Sequence, residues 1–231
     1  ADEFRAEADA LVDLVTDLYI PGAGHFHARQ PDGTLVPTRH CYDFATVGTT
    51  IAADLSPDVR DEMVRFFVEE LRTPSWMRAL SPYDADAGYS LRADHQWNGA
   101  YPAWPPDAAR AAIALGHPEA AIEWLPGLAR TANQGPPGQA HFVEEAAAPL
   151  NGGARKTPPQ YPYLIDWPCS SAGSFVDLVI TGVFRVHVDW DGTVTVNGCL
   201  DAVDPDAALR GLRVGDRVFD IVGSEVVPRD S

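Results

Sequence analysis

Residues 92–105 hold the densest mixture of hydrogen-bonding and ring-bearing side chains in the chain: Arg92, Asp94, His95, Gln96, Trp97, Asn98, Tyr101 and Trp104, punctuated by Gly99, Pro102 and Pro105. Such a mixture suits a polyhydroxylated ligand. Flat rings stack on the apolar face of a sugar, while amide, guanidinium and carboxylate groups meet its hydroxyls. Two other stretches repeat the theme. Arg39-His40-Cys41-Tyr42-Asp43 sets Arg, His and Asp just ahead of a helical pattern, and His141-Phe142-Val143-Glu144-Glu145 precedes Tyr161-Pro162-Tyr163-Leu164-Ile165-Asp166-Trp167-Pro168. Carboxylates in such company do proton work. No nucleophile of the Ser-His-Asp or Cys-His kind is identifiable. The three cysteines, Cys41, Cys169 and Cys199, are odd in number and lack metal-ligand spacing. Neither a disulfide framework nor a zinc site is expected, and no metal or organic cofactor.

Each of these side chains also has a reading without chemistry. Trp97, Trp104 and Trp167 can pack between helices, since indole rings are mostly buried wherever they occur. His95 can be a core histidine, Glu144 and Glu145 can be solvated loop charges, and an Asp before a helix, as at Asp43 and Asp94, is a good N-terminal cap.

The elements that must position these groups come in pairs. Amphipathic patterns at 2–18, 57–71 and 118–131 each lead through a long Gly/Pro/aromatic segment (20–41, 73–104, 133–168) to a second helix rich in small residues, starting near Asp43, Asp107 and Ser170. Starts repeat at roughly 55 to 60 residues, a period that points to stacked helical hairpins. Successive pairs are joined by only a few residues, so all long connections fall at one end of the array, where function concentrates. The expected fold is mainly α, half of a helical toroid spanning 1–184, followed by a small antiparallel β-region at 185–231. In the first helix Phe4, Ala8, Leu11, Val15 and Leu18 share a face that should be buried. Ala45, Gly48, Ala52 and Ala53 mark the second as one that approaches its neighbours closely. Ser56-Pro57 is a start signal for the next, and Pro126 should kink the helix at 118–131. After Phe184 the pattern alternates. Residues 184–190 and 193–196 flank Asp191-Gly192, a strong hairpin signal, and a second strand pair is expected at 217–222 and 225–227. Two hairpins are not stable alone, so this tail is expected to dock on the helical part or to complete a sheet whose other strands lie outside this chain.

The 231 residues are enough for a substantial core, and 45% hydrophobic content fits a globular protein. With a net charge of −16, a nucleic-acid backbone or an anionic membrane is an unfavourable partner, and neutral sugar a better one. No apolar run approaches the roughly 20 residues of a membrane span. A cytoplasmic, reducing location is the expectation.

The chain resembles the six-hairpin, (α/α)6-barrel glycoside hydrolases, in particular the C-terminal half of bacterial members with their terminal β-domain. The resemblance rests on Asp94-His95 with Gly99-Ala100-Tyr101 and Trp104-Pro105, on Trp167 with Ser171-Ala172-Gly173-Ser174-Phe175-Val176-Asp177, and on the Asp191-Gly192 hairpin leading to Leu209-Arg210-Gly211-Leu212. It implies inverting hydrolysis of an O-glycosidic bond, with two carboxyl groups about 6.5 to 9.5 Å apart. The family's base comes from the third long segment, which makes Glu144, or else Glu145, the candidate. Its acid usually lies in the earlier half of the barrel, absent here, with Asp94 and Asp43 as substitutes. Arg92, Asp94 and His95 would hold sugar hydroxyls, and Trp97, Tyr101, Trp104 and Trp167 would stack. Two other readings stand beside this one: a non-catalytic carbohydrate-binding half-barrel needing a missing N-terminal half, and a polysaccharide lyase, for which 17 Lys and Arg supply a poor basic subsite.

Overall fold

The computed structural model describes residues 2–87, 100, 103–132, 142–144, 154–156, 168–200 and 204–229. The chain forms two compact units, Ala1–Ser171 and Ala172–Ser231.

The first unit opens with α1 (Asp2–Thr16) and a hairpin of β1 (Phe26–Arg29) and β2 (Leu35–Thr38), paired antiparallel. Its turn is built by Pro31-Asp32-Gly33, with Gly33 at φ +87° and the Thr34 amide donating to Asp32 Oδ1 at 2.9 Å. Helix α2 (Cys41–Thr50) follows, then α3 (Pro57–Phe66), whose N-terminus is capped by Ser56 accepting from the Val59 amide at 3.3 Å. A π-helical turn, Phe67–Leu71, extends α3, with the Arg72 amide reaching the Phe67 carbonyl at 2.7 Å. Next come α4 (Trp104–Ala114), α5 (Pro118–Ile122), α6 (Leu125–Ala132), the short pair β3 (Phe142–Glu144) and β4 (Ala154–Lys156), and α7 (Pro168–Asp177).

The core lies under α2 and the α3 extension. Phe44 stacks on Phe67 at 4.6 Å and 8°, and Trp124 meets Phe67 edge-on at 5.4 Å. Met63, Leu71, Trp76 and Leu128 are buried around them. Each such side chain contributes roughly 1.5–3 kcal/mol on burial. The small residues of α2 let it touch α4: a methyl built at Gly48 would lie 2.8 Å from Ala111 Cβ.

The mainly-α half-toroid is not the fold. Among the described residues 43% are helical and 22% are in strands, a mixed α/β composition. The reason is local. The connection 20–41 carries the hairpin β1–β2, where the turn at 31–34 already suggests short extended flanks, the connection 133–168 carries β3–β4, and β7 enlarges the expected C-terminal β-region to five strands. Two other expectations also fail. Helix α1 has no buried residue, and Phe4 and Leu11 are 74% and 61% exposed, so its apolar stripe is not covered. The helix expected at 118–131 does not kink but stops at Ile122 and restarts at Leu125, which leaves Pro126 in the first turn of α6, where its missing N–H costs nothing.

In the second unit α7 passes into a π-helical segment, Leu178–Val183, and then into β5 (Val186–Val188) and β6 (Val194–Val196) around Asp191-Gly192, with Gly192 at φ +80°. The strands β8 (Arg217–Val222) and β9 (Glu225–Arg229) form the second hairpin. A strand not read from the sequence, β7 (Ala208–Val214), pairs with β8 and completes a three-stranded sheet, so the hairpins are supported from within the chain. Its register slips between Leu209 and Leu212, where Gly211 takes φ +73°. The bulge is tied down by Asp220, which is buried, accepts from the Gly211 amide at 2.8 Å and lies 3.5 Å from Arg210 and 3.6 Å from Arg229. Phe219 and Ile221 of β8 are buried beside it. Among the described residues no helix is long and apolar enough to cross a membrane.

Candidate groove between two helices

A groove of about 470 Å³ runs along one side of the contact between α2 and α4. Helix α2 lines it with Cys41, Tyr42, Ala45, Thr46 and Thr49, and α4 with Trp104, Asp107 and Arg110 behind Ala103. On each helix these positions recur every three or four residues, the spacing of a single face. The Gly48–Ala111 contact sets how far apart the two faces stand. Its volume lies within the range of small-molecule clefts, roughly 300–1,000 Å³.

The aromatic end of the groove is fixed by a short ladder. The Cys41 amide donates to the Ala79 carbonyl at 2.8 Å, the Ser81 amide donates to the Arg39 carbonyl at 2.9 Å, and His40 bridges to Leu80. Arg39 anchors it further: its Nη1 reaches both carboxylate oxygens of Glu70, which also accepts from Ser81 Oγ, and its amide donates to Asp84 Oδ2 at 2.9 Å. Glu70 belongs to the π-helical turn, so that local irregularity supplies the anchor.

Three rings meet where the ladder enters α2. His40 lies parallel to Tyr42 at 4.9 Å and 16°, Trp104 meets Tyr42 edge-on at 5.0 Å, and His40 meets Trp104 edge-on at 5.8 Å. Tyr42 remains 55% exposed. Trp104 starts α4 and is followed by Pro105 and Pro106, whose fixed φ and absent N–H suit the first turn of a helix. Asp107 and Arg110 then fall on the groove one turn apart. The site therefore offers two rings, a phenol, two threonine hydroxyls, a carboxylate and a guanidinium.

Cys41 and His40 invite a thiol-nucleophile reading, since Sγ lies 3.7 Å from Nδ1. The chemistry points the other way. Cys41 is 1% exposed, and burial pushes its thiol well above the ordinary range, with the nearby charges of Asp43 and Asp107 adding to the rise. A catalytic cysteine needs the opposite shift. Burial likewise pulls His40 down to about 4 against the opposing pull of Asp84, so the ring is neutral near pH 7. Asp43 is raised by burial, an effect that the Thr38 hydrogen bond at 3.0 Å only partly offsets. The single Thr38 hydroxyl proton faces both Asp43 Oδ2 and the Phe26 carbonyl, at 3.1 Å. A proton on Asp43 would satisfy both, because the acid could then donate to Thr38 while Thr38 donates to Phe26.

Of the side chains singled out in the sequence, Trp104 and Cys41 line the groove, and His40 stands against its rings. Arg92, Asp94, His95, Trp97, Tyr101, Glu145 and Trp167 fall outside the described residues. Glu144 is the last residue of β3, with its backbone opposite Ala154. Sequence reading missed Tyr42, Asp107 and Arg110 as groove residues. Their signal was the alignment of 42, 46 and 49 on one helix and 104, 107 and 110 on another, which becomes visible only once the two helices are known to touch. Among the described residues no group of three His, Cys, Asp or Glu side chains is placed to hold a metal ion. No protein-family model and no curated protein matches the chain.

Proposed function

We propose that the groove between α2 and α4 binds a neutral carbohydrate, and the observation that carries this reading is the Tyr42–Trp104 ring pair standing beside Asp107 and Arg110. The rings give apolar faces for stacking, and the hydroxyls of Tyr42 and Thr46 on the same helix face are groups of the kind that meet sugar hydroxyls. The net charge of −16 favours an uncharged ligand over a polyanion. Calorimetric titration with maltohexaose and cellohexaose tests it: saturable binding of either, lost in Tyr42→Ala and Trp104→Ala, supports the reading, and binding of neither refutes it for glucose polymers.

A second reading makes the protein a glycoside hydrolase, with Glu144 or Glu145 as the base that activates water. The observation in its favour is Asp43, next to Tyr42 on α2, whose carboxyl pKa is raised by burial, the direction a general acid requires. Release of reducing sugar from the same oligosaccharides would support it. Glu144→Gln should then lower turnover by about 10²–10⁴-fold while leaving affinity in place, and an unchanged rate would remove Glu144 as the base. We place the protein in a reducing, cytoplasmic setting, in keeping with the free thiols of Cys41 and Cys199.

A further inference from the structure

We propose that His40 is the positioning residue of the groove: its imidazole caps α2 by accepting the Tyr42 amide at Nδ1 and meets the Tyr42 and Trp104 rings with its face and edge, so the cap that sets the wall holds only while His40 is unprotonated. Its meaning for ligand binding rests on the carbohydrate reading above; the arrangement of the rings does not.

Three contacts on three different groups carry the argument. The Tyr42 amide donates to Nδ1 at 3.1 Å, which makes His40 the cap of α2. An amide N–H can only donate, so Nδ1 must present its lone pair and the ring proton must sit on Nε2. The ring then stacks on Tyr42 and abuts Trp104, which belongs to the facing helix. One imidazole thus joins the start of α2 to the start of α4. A cap of Ser, Asp or Asn would satisfy the amide but would bring no ring to the junction.

A second proton on His40 would break the cap, while the ring contacts to Tyr42 and Trp104 do not depend on the lone pair. Nδ1 would become a donor facing another donor. A cation would stand at the N-terminus of α2, where the helix dipole already presents positive charge. Among the described residues the titratable groups around the ring are Asp84, whose charge favours protonation, the buried thiol of Cys41 and the phenol of Tyr42; Asp43 and Asp107 act on the adjoining Cys41, while Leu80 and Trp104 carry no charge. Burial outweighs Asp84. Because the pKa is lowered in the folded chain, the contribution of His40 is complete above the ordinary value of about 6.5. It declines as pH falls from there towards about 4.

The test begins with ligand-free full chain. Nitrogen spectra of the imidazole should show the Nε2–H tautomer at pH 7 and a midpoint near 4, with the Tyr42 amide resonance moving on the same curve. The Nδ1–H tautomer, a midpoint near 6.5, or a Tyr42 amide indifferent to that titration would overturn the proposal. The binding arm uses maltohexaose and cellohexaose. His40→Asn should keep the cap, because the amide oxygen can accept from Tyr42, yet lose about tenfold in affinity at pH 7 with the ring. Its affinity should also lack the part of the acid decline that belongs to His40. A pH profile for His40→Asn that superimposes on that of the parent chain overturns the proposal. If the parent chain binds neither sugar, the carbohydrate reading fails and the spectra alone decide the role of His40.

Discussion

The Nε2 of His117 lies 2.9 Å from Asp61 Oδ1, a contact that ties the turn between α4 and α5 to α3. The other ring nitrogen is held by Glu119, also at 2.9 Å. Partial burial by itself would lower the pKa of this histidine, but the hydrogen bonds and charges of Asp61 and Glu119 together outweigh it and raise the value. A raised pKa means that the stabilisation is complete below the unfolded value of about 6.5 and disappears as pH climbs through the folded one. Both carboxylates are well exposed, so solvent screening limits the effect to about 1 kcal/mol or less. Urea unfolding from pH 6 to pH 9 should show the decline, and His117→Gln should flatten it.

Gly48 controls the spacing of the groove walls. In Gly48→Val the new Cβ would stand 2.8 Å from Ala111 Cβ and 3.1 Å from Leu115 Cδ1, so α2 must retreat from α4. Overpacking of this kind costs about 1–3 kcal/mol. Thermal unfolding should register the loss. Oligosaccharide titration should show weaker binding even though the substituted residue is not among those that line the groove.

Asp220 offers a test confined to the second unit. Its carboxylate satisfies the Gly211 amide at the bulge, and Asp220→Ala would remove that acceptor; Gly211 is itself exposed, so water can take its place and the cost is about 0.5–1.5 kcal/mol. Asp220→Asn retains an oxygen able to accept the same bond and should lose markedly less. Hydrogen exchange at Gly211 is the direct measurement: fast in the Ala variant, slow in the parent and in Asn.

The parts of the fold that were legible in the sequence are those dictated by short-range chemistry. Ser56-Pro57 starts a helix because the hydroxyl and the missing N–H both suit a first turn, and Asp191-Gly192 closes a hairpin because Gly192 reaches positive φ freely. Small residues on α2 correctly signalled a close neighbour. What failed required knowledge of the surroundings. The spacing of Phe4, Leu11 and Val15 reports that α1 has an apolar side, not that anything covers it. Strand β7 was hidden because Gly211 interrupts its alternation, and the bulge that absorbs Gly211 depends on Asp220 from the next strand. For the groove, Trp104 was readable as a ring near a helix start. Tyr42 was not, because what gives it a role is contact with a residue far along the chain.

Helix α1 stands apart in one more respect. With none of its fifteen residues buried, it draws on backbone propensity and little else, at the length where solitary helices in water are only half-formed. What holds it lies just beyond its C-terminus, where the Glu62 carboxylate takes the Tyr19 hydroxyl and the Gly22 amide and the His27 amide donates to the Leu18 carbonyl. On warming, the ellipticity from α1 should therefore drain away gradually, long before the sharp cooperative step that reports the loss of the packed interior.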